Sequence, residues 1–197
     1  MERSHAKIAL MDSSAPTIPA RIPRNWLKIG LIVGPALALI GLLAWATFTR
    51  GGAPQPGDAA PTFAAERLDG SGSISLEDFD GKPLVMNFWA SWCLPCEEEA
   101  PLFSSMAKRY EGEVSFLGVN IKDARTDAEE FESRFDVAYP SVRDEGRTIE
   151  DSYGLTGQPE TFLIASDGTI HEHIPGAVTD AAFLQQLLDD LVATSGE

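Results

Sequence analysis

Residues 29–49 (IGLIVGPALALIGLLAWATFT) form an unbroken run without a charged side chain. A helix needs about 20 such residues to cross a bilayer core, so the run predicts one transmembrane helix. Gly30, Gly34, Pro35 and Gly41 would weaken a helix in water, but neighbouring groups satisfy the freed backbone inside a bilayer. Arg21, Arg24 and Lys28 precede the run and only Arg50 closely follows it, which predicts residues 1–28 as a cytoplasmic segment and places the rest outside. A cleaved signal peptide is the competing reading, because Ala44-Trp45-Ala46 has the small-x-small form of a cleavage site. The run exceeds the usual apolar stretch of about 7–15 residues, which favours a retained signal-anchor at residues 29–49. No cysteine stands just beyond it to carry a lipid.

Residues 50–61, rich in Gly, Pro and Ala, predict a linker, and residues 62–197 a folded domain. Two short alternating stretches, 63–68 and 73–76, flank Asp69-Gly70-Ser71-Gly72 and predict a hairpin. Residues 84–90 are almost continuously apolar, as in a central strand covered on both faces. A helix is expected over 94–110, with Pro95 in its first turn, glutamates at its start, and Lys108 and Arg109 near its end. Strands are expected at 114–120, 141–143, 161–165 and 169–174, and helices at 126–135 and 180–193. The order predicts an α/β domain with one mixed sheet and helices on both faces.

The formal net charge is −15, and the basic N-terminal flank means that residues 51–197 carry all of that excess and more. Nucleic acid and anionic membrane surfaces would be repelled, which leaves the acidity as a solubilising surface. The chain has two cysteines, Cys93 and Cys96, in a domain expected outside the cytosol, where disulfides persist. They follow the buried strand and open a helix, so backbone N–H groups and the positive helix end favour a thiolate at Cys93. Redox chemistry is the reading this position favours. Three others compete. A structural disulfide would close a loop too short to remove much chain entropy. Zinc would need further ligands, and His171-x-His173 lacks the usual spacing. A Cu(I)-carrying module suits soft thiolates but has no Met-rich or His-rich company. No resident metal or cofactor is predicted, and His171 and His173 are assigned surface positions without a role.

The run Phe88-Trp89-Ala90-Ser91-Trp92-Cys93-Leu94-Pro95-Cys96, with Gly157-Gln158-Pro159-Glu160-Thr161-Phe162-Leu163-Ile164 downstream, closely resembles the thioredoxin superfamily. Within it, these residues and Gly118-Val119-Asn120-Ile121-Lys122-Asp123 resemble the ResA/CcmG/TlpA group of extracytoplasmic reductases, over residues 57–193. The resemblance implies a thioredoxin fold with an N-terminal hairpin extension. It implies Pro159 as a cis-proline facing the cysteine pair, with Gln158 offering its backbone to a bound substrate strand. Trp92, Leu94 and Pro95 would border that substrate. Glu99 matches an acidic residue that the group keeps beside its active site; an ordinary glutamate of a helix start, like Glu97 and Glu98, is the alternative. Leu94 and Gln158 depart from the residues commonest at their positions.

The expected chemistry is thiol–disulfide exchange, with Cys93 exposed as the attacking thiol, Cys96 as the resolving thiol and Glu99 as its proton acceptor. Leu94-Pro95 supplies no cation and three glutamates follow, which disfavours a strongly stabilised thiolate and predicts a reductant. The family analogy implies reduction of apocytochrome c haem-site disulfides or of a metallochaperone. It also implies electrons from a CcdA/DsbD-like membrane thiol transporter, at the periplasmic side of the cytoplasmic membrane. An oxidising or isomerising foldase and a Cu(I) carrier are the rival functions. A thiol peroxidase is disfavoured because no Thr-x-x-Cys is present.

Overall fold

The computed structural model describes residues 31, 33–43 and 52–195, in two units, Met1–Thr49 and Arg50–Glu197. In the first unit, residues 33–43 are helical, with the side chains of Leu37, Leu39, Ile40, Leu42 and Leu43 exposed. Among the described residues no helix is long and apolar enough to cross a membrane. The flanks of the expected span, residues 29–30 and 44–49, and the whole of residues 1–28 lie outside the described residues.

The second unit is built on a five-stranded mixed sheet. Its strands are β3 (Leu84–Trp89), β4 (Ser115–Ile121), β5 (Ser141–Asp144), β6 (Glu160–Ile164) and β7 (Ile170–Pro175), in the order β5-β4-β3-β6-β7. β3, β4 and β5 run parallel, and β6 and β7 run antiparallel to their neighbours. Every residue of β3 is buried, as its continuous apolar sequence demands of a strand covered on both faces. The helices are α1 (Leu94–Arg109), α2 (Arg125–Arg134), the short α3 (Thr148–Ser152) and α4 (Ala181–Ser195). Leu84, Met86 and Phe88 face a core with Ile149 and Tyr153, whereas Val85 faces Phe103 of α1 and Leu184, Leu188 and Leu191 of α4. α1 runs on through Pro101, which gives up one backbone hydrogen bond.

The predicted hairpin is present as β1 (Ala64–Glu66) and β2 (Ser73–Ser75), paired antiparallel as a separate two-stranded sheet. It is pinned to the edge of the main sheet by a bridge between Arg67 and Val142 and by Leu68 N–H donating to the Ser141 carbonyl at 2.8 Å. Residues 57–60, expected within the linker, are part of the folded unit. Gly57 and Ala60 donate to the carbonyls of Ile170 and Gly168 at 2.8 and 2.9 Å. The 3-10 turn Leu76–Phe79 and α3 are additions to the expected elements, each too short for periodicity to register.

Candidate active site

Cys93 and Cys96 are joined in a disulfide, S–S 2.09 Å and Cα–Cα 5.2 Å. Cys93 is the N-cap of α1, and its sulfur accepts the Cys96 backbone N–H at 3.3 Å. An electron-rich sulfur at Cys93 therefore meets a backbone donor and the positive end of the helix. Cys93 was expected to be exposed. It is 4% exposed, because in the oxidised pair both sulfurs belong to an apolar cluster with Leu68, Trp89, Ala90, Ala100, Ala128 and Phe131. The surface around them is presented instead by Trp92 and Leu94, 58% and 66% exposed, and by the exposed Pro95.

The loop carrying Trp92 is held from below by residues 118–123. The Asp123 carboxylate accepts Ser91 N–H at 2.6 Å, the Ser91 hydroxyl at 2.7 Å and the Asn120 amide at 2.9 Å. Lys122, at φ 52°, turns its carbonyl to accept the Trp92 indole N–H at 3.0 Å. Gly118 is required for a different reason: a Cβ there would collide with the Ser141 hydroxyl and the Trp89 indole, which stacks on Phe131 with ring centroids 4.5 Å apart. Residues 118–123 thus earn their place in the resemblance as the support of the cysteine loop.

The Gln158-Pro159 peptide is cis, and Pro159 is buried with Gln158 half-buried beside it. β6 begins at the next residue and pairs with β3, Glu160 opposite Phe88, so Pro159 stands at the end of the sheet from which the cysteine loop departs.

Glu99, three residues after Cys96 and on the same face of α1, is 1% exposed. Its two neighbours in sequence do not share that burial: Glu97 is half-buried and paired with Arg134 at 3.4 Å, and Glu98 is exposed. The Glu99 carboxyl accepts the Asn87 amide at 2.8 Å and the Val178 backbone N–H at 2.9 Å. Burial pushes its pKa from 4.5 up to about 7, against the pull of the Val178 and Asn87 donors. A carboxyl with that proton affinity can exchange a proton near neutral pH.

A second buried acid lies next to Pro159. Glu160 accepts Thr156 N–H at 2.8 Å, the Thr156 hydroxyl at 3.0 Å and Gly157 N–H at 2.9 Å, while its other oxygen lies 2.7 Å from His173 Nε2. Burial opposes its ionisation, but these donors outweigh burial and hold its pKa below the ordinary value. His173, expected at the surface, is drawn in by that bond and by stacking on Phe162, centroids 4.2 Å apart. Asn87, Asp123, Thr161 and Val178 join the site without any expected role there. Asn87 stands out as the one polar side chain within an apolar strand, and Asp123 and Thr161 lie within the runs that carry the resemblance. Among the described residues no group of three or more His, Cys, Asp or Glu side chains is placed to hold a metal ion.

Residues 56–173 match the model of the AhpC/TSA family. The chain belongs to that family. It is 34% identical over 153 residues to the thiol-disulfide oxidoreductase ResA of Geobacillus thermodenitrificans, covering 77% of this chain and 87% of the relative. To the Bacillus subtilis protein of the same name it is 29% identical over 159 residues, 80% of this chain and 88% of that one. Among solved structures, it is similar to a Chlorobium tepidum protein assigned as a candidate thiol:disulfide interchange protein DsbE, with TM-score 0.67 and 27% identity over 71% of this chain and 99% of that one. A secreted Mycobacterium tuberculosis disulfide oxidoreductase homologous to Escherichia coli DsbE matches with TM-score 0.61 and 27% identity, over 66% and 96% of the two chains. The fold is thioredoxin-like, and the chain is a thiol:disulfide oxidoreductase of the ResA and DsbE type.

Proposed function

We propose that this oxidoreductase runs in the reducing direction outside the cytoplasmic membrane, delivering two electrons to haem-site disulfides of apocytochrome c. The observation that carries the dithiol mechanism is the buried Glu99 carboxyl, one helical turn from Cys96, with its pKa pushed up to about 7. The Cys93 thiolate attacks a partner disulfide, forming a mixed disulfide and releasing one partner thiolate, which takes up a proton. The Cys96 thiol then passes its proton to Glu99, directly or through water, and the resulting thiolate attacks the Cys93 sulfur. The second partner thiolate leaves and takes up a proton, from Glu99 or from water, and the chain ends as the Cys93–Cys96 disulfide. The partner has gained two electrons and two protons. A CcdA/DsbD-like membrane thiol transporter would return the pair to the dithiol.

Direction follows from the charges around the helix start. A strong oxidant stabilises its thiolate with a cation or imidazole between the cysteines, whereas here Leu94-Pro95 carries no charge and the helix start that follows is acidic. Trp92, Leu94 and Pro95 offer an apolar rim to a partner, and Gln158 offers backbone beside Pro159. The membrane anchorage rests on the charge-free run 29–49, on its basic flank, and on the leucines exposed along helical residues 33–43, which water would not favour.

The test is the reduction potential of the full-length chain, equilibrated with glutathione or dithiothreitol buffers. A value near or below about −270 mV, that of thioredoxin, is expected. A value near about −120 mV, that of a strong oxidant of folding proteins, would overturn the direction. The mass of the chain isolated from membranes separates a retained anchor from cleavage after Ala46.

A further inference from the structure

Asn87 interrupts an apolar strand at the centre of the sheet, and it is 4% exposed. Burying an amide there is costly unless hydrogen bonds compensate it. Its Nδ2 lies 2.8 Å from Glu99 Oε1 and 3.2 Å from Thr161 Oγ1, one contact toward α1 and the other toward β6. Asn87 and Thr161 are register partners, and Thr161 stands two residues beyond Pro159. The other Glu99 oxygen accepts Val178 N–H from the segment before α4. Two donors from separate elements therefore fix the plane of the carboxyl, and with it the direction of the lone pairs left for a proton.

We infer that Asn87 is the positioning residue of this site: it orients the Glu99 carboxyl for proton exchange with Cys96 and ties it, through Thr161, to the strand that carries Pro159. The inference rests on Glu99 as the proton acceptor. An amide N–H can only donate, so it favours the charged carboxylate and limits the rise that burial imposes. Thr161 occupies the second amide hydrogen, which keeps the amide from rotating away from Glu99. The other titratable groups in play are few. Cys96 lies one turn before Glu99, Glu97 and Glu98 share its helix, and the Tyr139 phenol is pushed well above its ordinary pKa by burial and by the nearby Glu99 charge.

The test is a pH titration of full-length oxidised chain labelled with carbon-13 at the glutamate carboxyls, followed by NMR, in wild type, Asn87→Val, Thr161→Val and Thr161→Ser. Wild-type Glu99 is expected to titrate at about 7. Loss of a hydrogen bond to a charged group should move the midpoint alkaline by about one pH unit in Asn87→Val. Thr161→Val should give a smaller alkaline move, and Thr161→Ser, which keeps the hydroxyl, should titrate as wild type. A wild-type midpoint in folded Asn87→Val, or in Thr161→Val should the first variant not fold, overturns the assignment. The rate of mixed-disulfide resolution in Glu99→Gln tests the proton-acceptor role separately, because the NMR midpoints report on Asn87 whatever Glu99 does in turnover.

Discussion

Glu99 and Glu160 are both nearly closed to solvent, at 1% and 2% exposure, but Glu99 lies deeper in the protein, and their pKa values move in opposite directions. Glu99 meets two donors, Asn87 and Val178, and burial prevails. Glu160 meets four, three of them from Thr156 and Gly157 on the loop leading into Pro159, and the donors prevail. Depth and the number of donors aimed at a buried carboxyl together decide whether it holds its proton. The contrast also divides the labour of the site. On the proposed mechanism one acid exchanges a proton beside Cys96, while the other stays charged and fastens the loop leading into Pro159.

The largest effect that would break this comparison is kinetic. Glu99→Gln is expected to slow resolution of the mixed disulfide at neutral pH by about a hundredfold, the lower range for loss of a general base, and to remove the rise in rate with pH near 7. Stopped-flow kinetics with a disulfide peptide measures both. Glu160→Gln should leave that rise in place, since Glu160 is not the acid that titrates there.

Equilibrium unfolding in urea sharpens the other half. Glu160→Gln should cost about 2 kcal/mol, because a neutral amide cannot accept from all the donors that the carboxylate serves. Glu99→Gln should be neutral or slightly stabilising above pH 8, since it removes an acid whose ionisation the fold disfavours.

The pH dependence of stability separates the two acids by sign. Glu99 has a folded pKa of about 7 against 4.5 for an ordinary glutamate, so its contribution is fully present below about 4.5 and is lost as pH rises through about 7. Glu160 has a depressed folded pKa, so its contribution is present above about 4.5 and is lost as pH falls through the lower folded value. Urea midpoints of Glu99→Gln should therefore gain on wild type as pH rises from about 4.5 to about 7, whereas the shortfall of Glu160→Gln should be constant above about 4.5 and shrink below it. A smaller loss than that of Glu160→Gln is expected for His173→Phe, which keeps the stacking on Phe162 but removes one donor from Glu160. It should cost about 1 kcal/mol in the same unfolding assay.

Much of the site was legible in the chain because its chemistry is local. Cys93 and Cys96 stand between a continuous apolar strand and a helix start, and one turn of that helix reaches Glu99. The hairpin, the sheet strands and the three longer helices followed from alternation and periodicity, which report burial on one face or two. Short-range readings failed where burial depends on distant partners. Glu97, Glu98 and Glu99 are indistinguishable by local pattern, and only the resemblance singles out Glu99; of the three, only Glu99 turns under β3 and meets Val178, 79 residues away. His173 looked like a surface residue because the acid that draws it inward belongs to the neighbouring strand.

The sequence by itself determined the order of elements, the dithiol at a helix start and its acidic surroundings, because strand and helix periods and the spacing of two cysteines are properties of contiguous residues. Tertiary structure alone decided which glutamate is buried, how many donors each buried acid receives, and that Asn87 and Thr161 join the cysteine helix to the proline-bearing strand. Those outcomes depend on pairing β3 with β6 and on closing the segment before α4 over α1. Proton affinity in a low-dielectric interior is set by such contacts and cannot be read from the identity of a side chain alone.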